Sequence, residues 1–254
     1  DTAGASFIAV GVADATIDSQ ITGTGSFDKQ GTGRLTLGGS NTYAGGTAIS
    51  GGTIQVMTAT ALGTGAVTMA NNTTLQAGAT VALANDVALN GTGTIDTQAN
   101  DLTLDGAISG FGSMEKIGSG TLFLTNNANS YTGGTVVTAG TVNVSADNAL
   151  GTGVVGLATG TTLQAGATGT LANDIAMGNS TIDTQANDMT LNGVVFAGGT
   201  MTKIGSGMLT LNGNNSYSGG TLLNAGTINV GSDTALGTGS LTMAASTTLQ
   251  AGTT

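Results

Sequence analysis

The feature that most constrains this chain is a return. The stretch GTGRLTLGGSNTYAGGTAISGGTIQV, residues 31–56, comes back as GSGTLFLTNNANSYTGGTVVTAGTVNV at 118–144 and as GSGMLTLNGNNSYSGGTLLNAGTINV at 205–230. A lysine precedes each copy, at Lys29, Lys116 and Lys203, and both intervals are 87 residues. Self-similarity at a fixed long period marks a stacked repeat protein, in which each unit buries its apolar surface on its neighbours. The boundaries expected from this are a partial repeat at 1–28, repeats at 29–115 and 116–202, and a partial repeat at 203–254, together one continuous solenoid over 1–254. The chain starts without methionine and stops at TTLQAGTT, so both ends are expected to fall inside a repeat of a longer or processed protein.

Between the copies the apolar residues come in pairs with one residue between them. Examples are Leu35 and Leu37, Ile54 and Val56, Val67 and Met69, Val81 and Leu83, Val87 and Leu89, Leu102 and Leu104. Period-two alternation predicts half-buried strands, and the GGSN, ATALGTG, NGTG and QAND clusters between them are turn chemistry. Leu122 to Tyr131 spans one residue more than Leu35 to Tyr43, and the extra residue falls in the NNAN loop. No segment carries a helical apolar period. About 11 or 12 strands per 87 residues predict an all-β, right-handed parallel β-helix with about three strands per coil. Four coils of roughly 22 residues would fill a repeat, giving roughly 11–12 coils in all and a rod about 55 Å long at about 4.8 Å per coil. A left-handed hexapeptide helix would need a six-residue recurrence that the sequence lacks.

Composition removes several functions. Charged residues are 7% of the chain, and four bases, Lys29, Arg34, Lys116 and Lys203, stand against 14 acids for a net charge of −10. Nucleic acid and anionic membrane surfaces need clustered cations, so neither is an expected partner. Without cysteine or histidine there is neither a disulfide framework nor a nucleophilic triad. No apolar run is long enough for a membrane-spanning helix, and the short Gly-rich runs open no helix, so they are not phosphate loops.

At the YxGGT element the sequence resembles the passenger-associated transport repeats of bacterial autotransporters. The shared pattern is a lysine, then GxGxLxL, NxYxGGT, GTxxV and ALGTG, carried here by Asn41, Tyr43, Gly45, Gly46 and Thr47, then Asn129 and Tyr131, then Asn215 and Tyr217. The resemblance covers 29–254. It implies a secreted or surface-exposed β-helical passenger of a Gram-negative bacterium, exported through a C-terminal barrel that this chain does not contain.

Three sets of residues are candidates for chemistry. Lys29, Lys116 and Lys203 alternate in phase with Phe27, Met114 and Met201, so they point inward and would need carboxylate partners. Spaced four coils apart they cannot form one cluster. Tyr43, Tyr131 and Tyr217 could stack on sugars, but a tyrosine beside a Gly-Gly turn suits a closed corner better. Asp86, Asp96 and Asp101 recur as Asp174, Asp183 and Asp188, and paired acids could hydrolyse glycosides or hold calcium. Recurrence argues against a single active site, and Asn85 with Asp86 and Asn100 with Asp101 read as turn residues. TGT at 22–24 and 92–94 is too sparse for an ice-binding array.

The expectation is therefore a non-enzymatic extracellular structural or adhesive rod, with no catalytic, cofactor or metal residue assigned. Its partners would be further repeats or copies of itself stacked through exposed coil ends, and host or neighbouring-cell surface glycans or proteins. The alternatives are an end-to-end fibre subunit, and a β-helical polysaccharide-active enzyme or glycan-binding module.

Overall fold

The computed structural model describes residues 6–9 and 11–252, with side chains from residue 11 onward. The first five residues, residue 10 and the last two, which the expected solenoid over 1–254 includes, lie outside the described residues. Among the described residues every regular element is a strand, and no helix there is long and apolar enough to cross a membrane. One compact unit runs over Asp1–Leu122 and Ala128–Gly133, the other over Phe123–Asn127 and Gly134–Thr254.

Unit 1 is a parallel β-solenoid. Its first face is the six-stranded ladder Ser6–Ala9, Phe27–Gln30, Thr47–Ile49, Val67–Met69, Val87–Leu89 and Ile108–Gly110. The second face carries Ala15–Ile17, Arg34–Leu37, Thr53–Val56, Thr73–Ala77, Gly93–Asp96 and Met114–Ile117, and the third pairs Val81–Leu83 with Leu102–Leu104. Six rungs on one face make six turns.

Unit 2 is built the same way. Its ladders are Thr135–Val137, Val155–Leu157, Ile175–Met177 and Val195–Phe196; then Thr141–Val144, Thr162–Ala165, Ser180–Asp183, Met201–Ile204, Thr221–Leu223 and Leu241–Met243; then Gly169–Leu171, Met189–Leu191, Met208–Leu211, Thr227–Val230 and Thr248–Ala251. Six rungs again give six turns, so the two units supply the dozen coils that the sequence predicts.

The coil is shorter than a quarter of the repeat. Down the first face of unit 1, Phe27 sits beside Thr47, Thr47 beside Val67, Val67 beside Val87 and Val87 beside Ile108. A coil therefore closes after about 20 residues, the separation that the Gln76–Asp96 bond between coils also spans. Four coils, from Phe27 to Ile108, stop six positions short of Met114, and those six carry the chain round one corner. A repeat is thus four coils plus one face, which corrects the four-coil expectation. Each copy of a motif lands on the face after the one its predecessor occupied. Phe27–Gln30, with Lys29, lies on the first face of unit 1, and Met114–Ile117, with Lys116, on the second. Within unit 2 the equivalent strands Thr135–Val137 and Thr221–Leu223 likewise occupy different ladders. The register of the lysine moves with it: Lys29 pairs with Ile8, 21 positions earlier on the first face, just as Lys116 pairs with Ile95, 21 positions earlier on the second.

Alternation places the core. One register column of unit 1 reads Leu35, Ile54, Leu75, Ile95 and Lys116, all fully buried, while Thr36, Gln55, Gln76 and Asp96 lie on the outward side. Burying such branched and linear aliphatics is the main favourable term in folding, and a stacked coil buries them on both neighbours. Some coils lack a third strand. Between Leu37 and Thr47 that side is an irregular segment, yet it stays bonded coil to coil through Thr42 N–H to Ile21 O at 2.9 Å and Ala44 N–H to Gly23 O at 3.1 Å.

One position departs from the repeat's own chemistry. Ala197 has φ +86°, a left-handed backbone, where the equivalent residue 87 positions earlier is Gly110 at φ +105°. A Cβ in that region costs about 1–2 kcal/mol, part of which glycine returns through its greater unfolded entropy. Ala197→Gly is therefore expected to stabilise the protein by up to about 1 kcal/mol, read as a higher urea midpoint.

Candidate functional site

The recurring motif residues meet at the coil corners. All three lysines are fully buried, as alternation predicts, but backbone carbonyls do the work expected of carboxylates. Lys29 Nζ donates to the carbonyls of Gln30, Gly31 and Gly51 at 3.1, 2.9 and 2.8 Å. Lys203 Nζ donates to Ile204, Gly205 and Ala225 at 2.8, 2.9 and 3.2 Å, and Lys116 Nζ to Ile117 and Gly118 at 3.0 and 2.8 Å. Each cage forms because the strand ends one residue past the lysine and the chain turns, aiming successive carbonyls at one point. An ammonium has three protons to give, and three carbonyls take them. The carboxylate expectation is corrected accordingly, with Asp96, Asp183 and Asp188 acting only as nearby charges.

Burial pulls Lys116 down from the usual 10.5 to about 8, against an opposing pull from Asp96. It does the same to Lys203, opposed by Asp183 and Asp188, and lowers Lys29 as well. Between about pH 8 and 10.5 the unfolded chain holds protons that the folded lysines have released, so stability rises with pH through that window. Tyrosine acts oppositely. Burial pushes Tyr43 up to about 12 from 10.0 and raises Tyr217, with the hydroxyls of Thr47 and Thr221 offsetting part of the effect. Above pH 10 the unfolded tyrosines ionise first and stability falls. Urea midpoints followed from neutral pH to about pH 11.5 are expected to climb from about pH 8, peak near pH 10 and decline beyond it.

Tyr43, Tyr131 and Tyr217 are fully buried, so no ring face is offered to a sugar. Tyr43 Oη meets Thr47 Oγ1 at 2.5 Å, and that hydroxyl donates onward to Leu62 O at 3.0 Å. Tyr217 repeats the arrangement with Thr221 at 2.6 Å. Asn41 and Asn215 bridge coils in both directions. Asn41 Oδ1 accepts the Ile21 N–H at 2.8 Å while its Nδ2 donates to Ala61 O at 2.6 Å; Asn215 does so with Val195 N–H at 2.7 Å and Ala235 O at 2.6 Å. Asn129 Oδ1 accepts the Ile108 N–H at 2.8 Å.

The motif's receptor is the ALGTG segment of the next coil. A Cβ on Gly63 would lie 2.8 Å from Tyr43 Cδ2, and one on Gly237 would lie 3.0 Å from Tyr217 Cδ1, so a bare backbone must face the ring. The Gly-Gly pair answers the same crowding. A Cβ on Gly45 would sit 2.5 Å from the Gly25 carbonyl carbon below, and Gly46, at φ +86°, would place one 2.7 Å from Ala66 O above. NxYxGGT and ALGTG are thus two halves of one joint.

The recurring acids are also committed to the backbone. Asp86 Oδ1 accepts the Ala107 N–H and Asp174 Oδ1 the Val194 N–H, both at 2.8 Å. Asp101 Oδ1 accepts Thr121 N–H at 3.1 Å, and Asp188 Oδ1 accepts Met208 N–H at 2.8 Å. Asp96 takes Gln98 N–H and Gln76 Nε2 at 2.8 Å each; Asp183 takes Gln185 N–H at 2.8 Å and Gln164 Nε2 at 2.9 Å. Asn85 Nδ2 donates to Gly63 and Gly65 O, and Asn100 Nδ2 to Ala77 O. Asp86, Asp96 and Asp101 fall within a single coil, spread around its turns, and among the described residues no three acids are placed to hold a metal ion.

Concavities are few in chemistry. A groove of about 350 Å³ is lined by Val230, Gly231, Ser232, Asp233, Ala251 and Gly252, and one of about 220 Å³ by Ala59, Thr60, Gly63, Thr64, Ala84 and Asn85. The first holds one carboxylate and the second none, whereas glycoside hydrolysis uses two. The four bases are all engaged, three in cages and Arg34 in an ion pair with Asp14 at 2.7 Å. The sequence reading missed the coil-bridging role of Asn41 and Asn215 and the Thr47 and Thr221 partners. The signal was present in the fixed N-x-Y-x-G-G-T spacing.

Comparison with known proteins agrees with this picture. The passenger-associated-transport-repeat family matches residues 27–56, 114–144 and 201–230. Over 130 residues, 50% of this chain, the sequence is 36% identical to the adhesin BmaC autotransporter of Brucella suis biovar 1 (strain 1330). The match spans 4% of that much longer protein. No solved structure matches the chain significantly.

Proposed function

We propose that this chain, which carries three passenger-associated-transport repeats, is a non-enzymatic segment of an autotransporter passenger at the surface of a Gram-negative bacterium. Its work is to build solenoid that supports and displays an adhesive surface protein, as the adhesin similarity suggests. The carrying observation is that every recurring lysine, tyrosine, asparagine and aspartate described above is spent on backbone and neighbouring coils. The one-face advance per repeat supports it further, because a motif that turns to a new face each time lays down no line of identical sites. The first partners are the adjoining repeats of the same polypeptide, and surface glycans or proteins of other cells are engaged by outward residues that differ between repeats.

Two measurements test the proposal. Antibodies to the chain are expected to label intact cells of the source bacterium, and labelling only after lysis would overturn the surface assignment. Purified protein incubated with acidic polysaccharides is expected to release no reducing or unsaturated ends. Turnover that one aspartate substitution abolishes would put an enzyme in place of the structural reading.

A further inference from the structure

We propose that Asn192–Gly193 is a site of spontaneous, neighbour-assisted deamidation, through which the second repeat acquires the aspartate that the first repeat encodes. Three Asn–Gly pairs stand at coil corners: Asn90–Gly91, Asn192–Gly193 and Asn212–Gly213. All three asparagines are exposed. Their own N–H groups are bonded to the preceding coil, at Met69, Leu171 and Leu191 O with lengths of 3.0, 2.9 and 3.0 Å. The following glycine N–H has no hydrogen-bond partner among the described residues in any of them.

That free nitrogen is the nucleophile. It attacks the asparagine Cγ, the new N–C bond closes a succinimide ring, and the side-chain amide departs with the proton as ammonia. Solvent water then opens the ring at either carbonyl, leaving aspartate or isoaspartate. The stacking enforces the reactive pair, because a Cβ at Gly193 would overlap the Asn173 carbonyl oxygen and one at Gly213 the Gly193 carbonyl oxygen.

Two observations single out Asn192. Asn212 Nδ2 donates to Asn192 Oδ1 at 2.8 Å, which draws electron density from Cγ and stabilises the oxyanion formed on attack. The carboxylate produced accepts the same bond, now charge-assisted. The second observation is the repeat itself. Asp105–Gly106 occupies the equivalent corner 87 residues earlier, with Asp105 N–H bonded to Leu83 O at 2.9 Å, and a Cβ at Gly106 would overlap Asn85 O just as one at Gly193 overlaps Asn173 O. A carboxylate therefore fits this corner.

The test is to hold the purified 254-residue chain in warm, mildly alkaline buffer and follow each site by peptic mapping, mass spectrometry and isoaspartyl methyltransferase labelling. Asn192 is expected to convert several-fold faster than Asn90 and Asn212 in the folded protein. In urea the three rates should converge. Asn212→Ala should bring Asn192 down to the rate of Asn90, and Asn192→Asp should leave the unfolding midpoint unchanged. Equal folded rates at Asn192 and Asn90, or an Asn192 rate untouched by Asn212→Ala, would overturn the proposal.

Discussion

Lys203→Ala is expected to lower the unfolding free energy by about 3–5 kcal/mol, the range for truncating a long buried side chain whose site cannot collapse. Two losses combine. The aliphatic stem leaves a cavity between coils, and the carbonyls of Ile204, Gly205 and Ala225 lose their shared donor. Lys203→Met separates them, since methionine refills the space and removes only the donor, for an expected loss of about 1–3 kcal/mol. Urea titration followed by circular dichroism reads both, with the loss falling first on the unit that holds Lys203 because coils are stabilised through their neighbours. A Lys203→Met protein as stable as its parent would mean that the ammonium–carbonyl contacts contribute nothing beyond their own desolvation.

Tyr217→Ala is expected to have a comparable effect, about 3–5 kcal/mol, because the ring is fully buried against Gly237 of the next coil. Tyr217→Phe keeps the ring and gives up the 2.6 Å contact with Thr221, for about 1 kcal/mol. The ratio between the two is the informative quantity. If Phe cost as much as Ala, the hydroxyl rather than ring packing would close the corner.

Much of this was legible before any coordinates. Alternation at Leu35 and Leu37 or Ile54 and Val56 placed the strands and their inward faces, because a period-two pattern with one dry side has one register that works. The inward direction of Lys29 followed from Phe27 two residues earlier. Its partners did not, since a carbonyl cage is made by backbone direction at a strand end, and every residue type carries a carbonyl. Coil length was misjudged for a related reason. A long fixed period suggests division by a whole number, but only the pairing of Phe27 with Thr47 shows where a coil closes. The aspartates were read correctly as turn residues from the Asn85–Asp86 and Asn100–Asp101 pairs. Which N–H each would accept depended on the coil above, and local sequence does not encode that.

The advance of one face per repeat rests on a coil shorter than a quarter of the repeat. Because the chain has no cysteine, disulfide trapping reads the register directly. Thr74 and Thr94 are register partners on adjacent coils of unit 1, and at the ladder spacing of about 4.8 Å their Cα atoms fall within disulfide reach. Asp96, further along the same strand and a full quarter repeat beyond Thr74, lies opposite Gln76 instead. Thr74→Cys with Thr94→Cys is expected to oxidise completely in the folded protein, whereas Thr74→Cys with Asp96→Cys stays reduced under the same conditions. The reverse outcome would establish a coil of a full quarter repeat and contradict the advance.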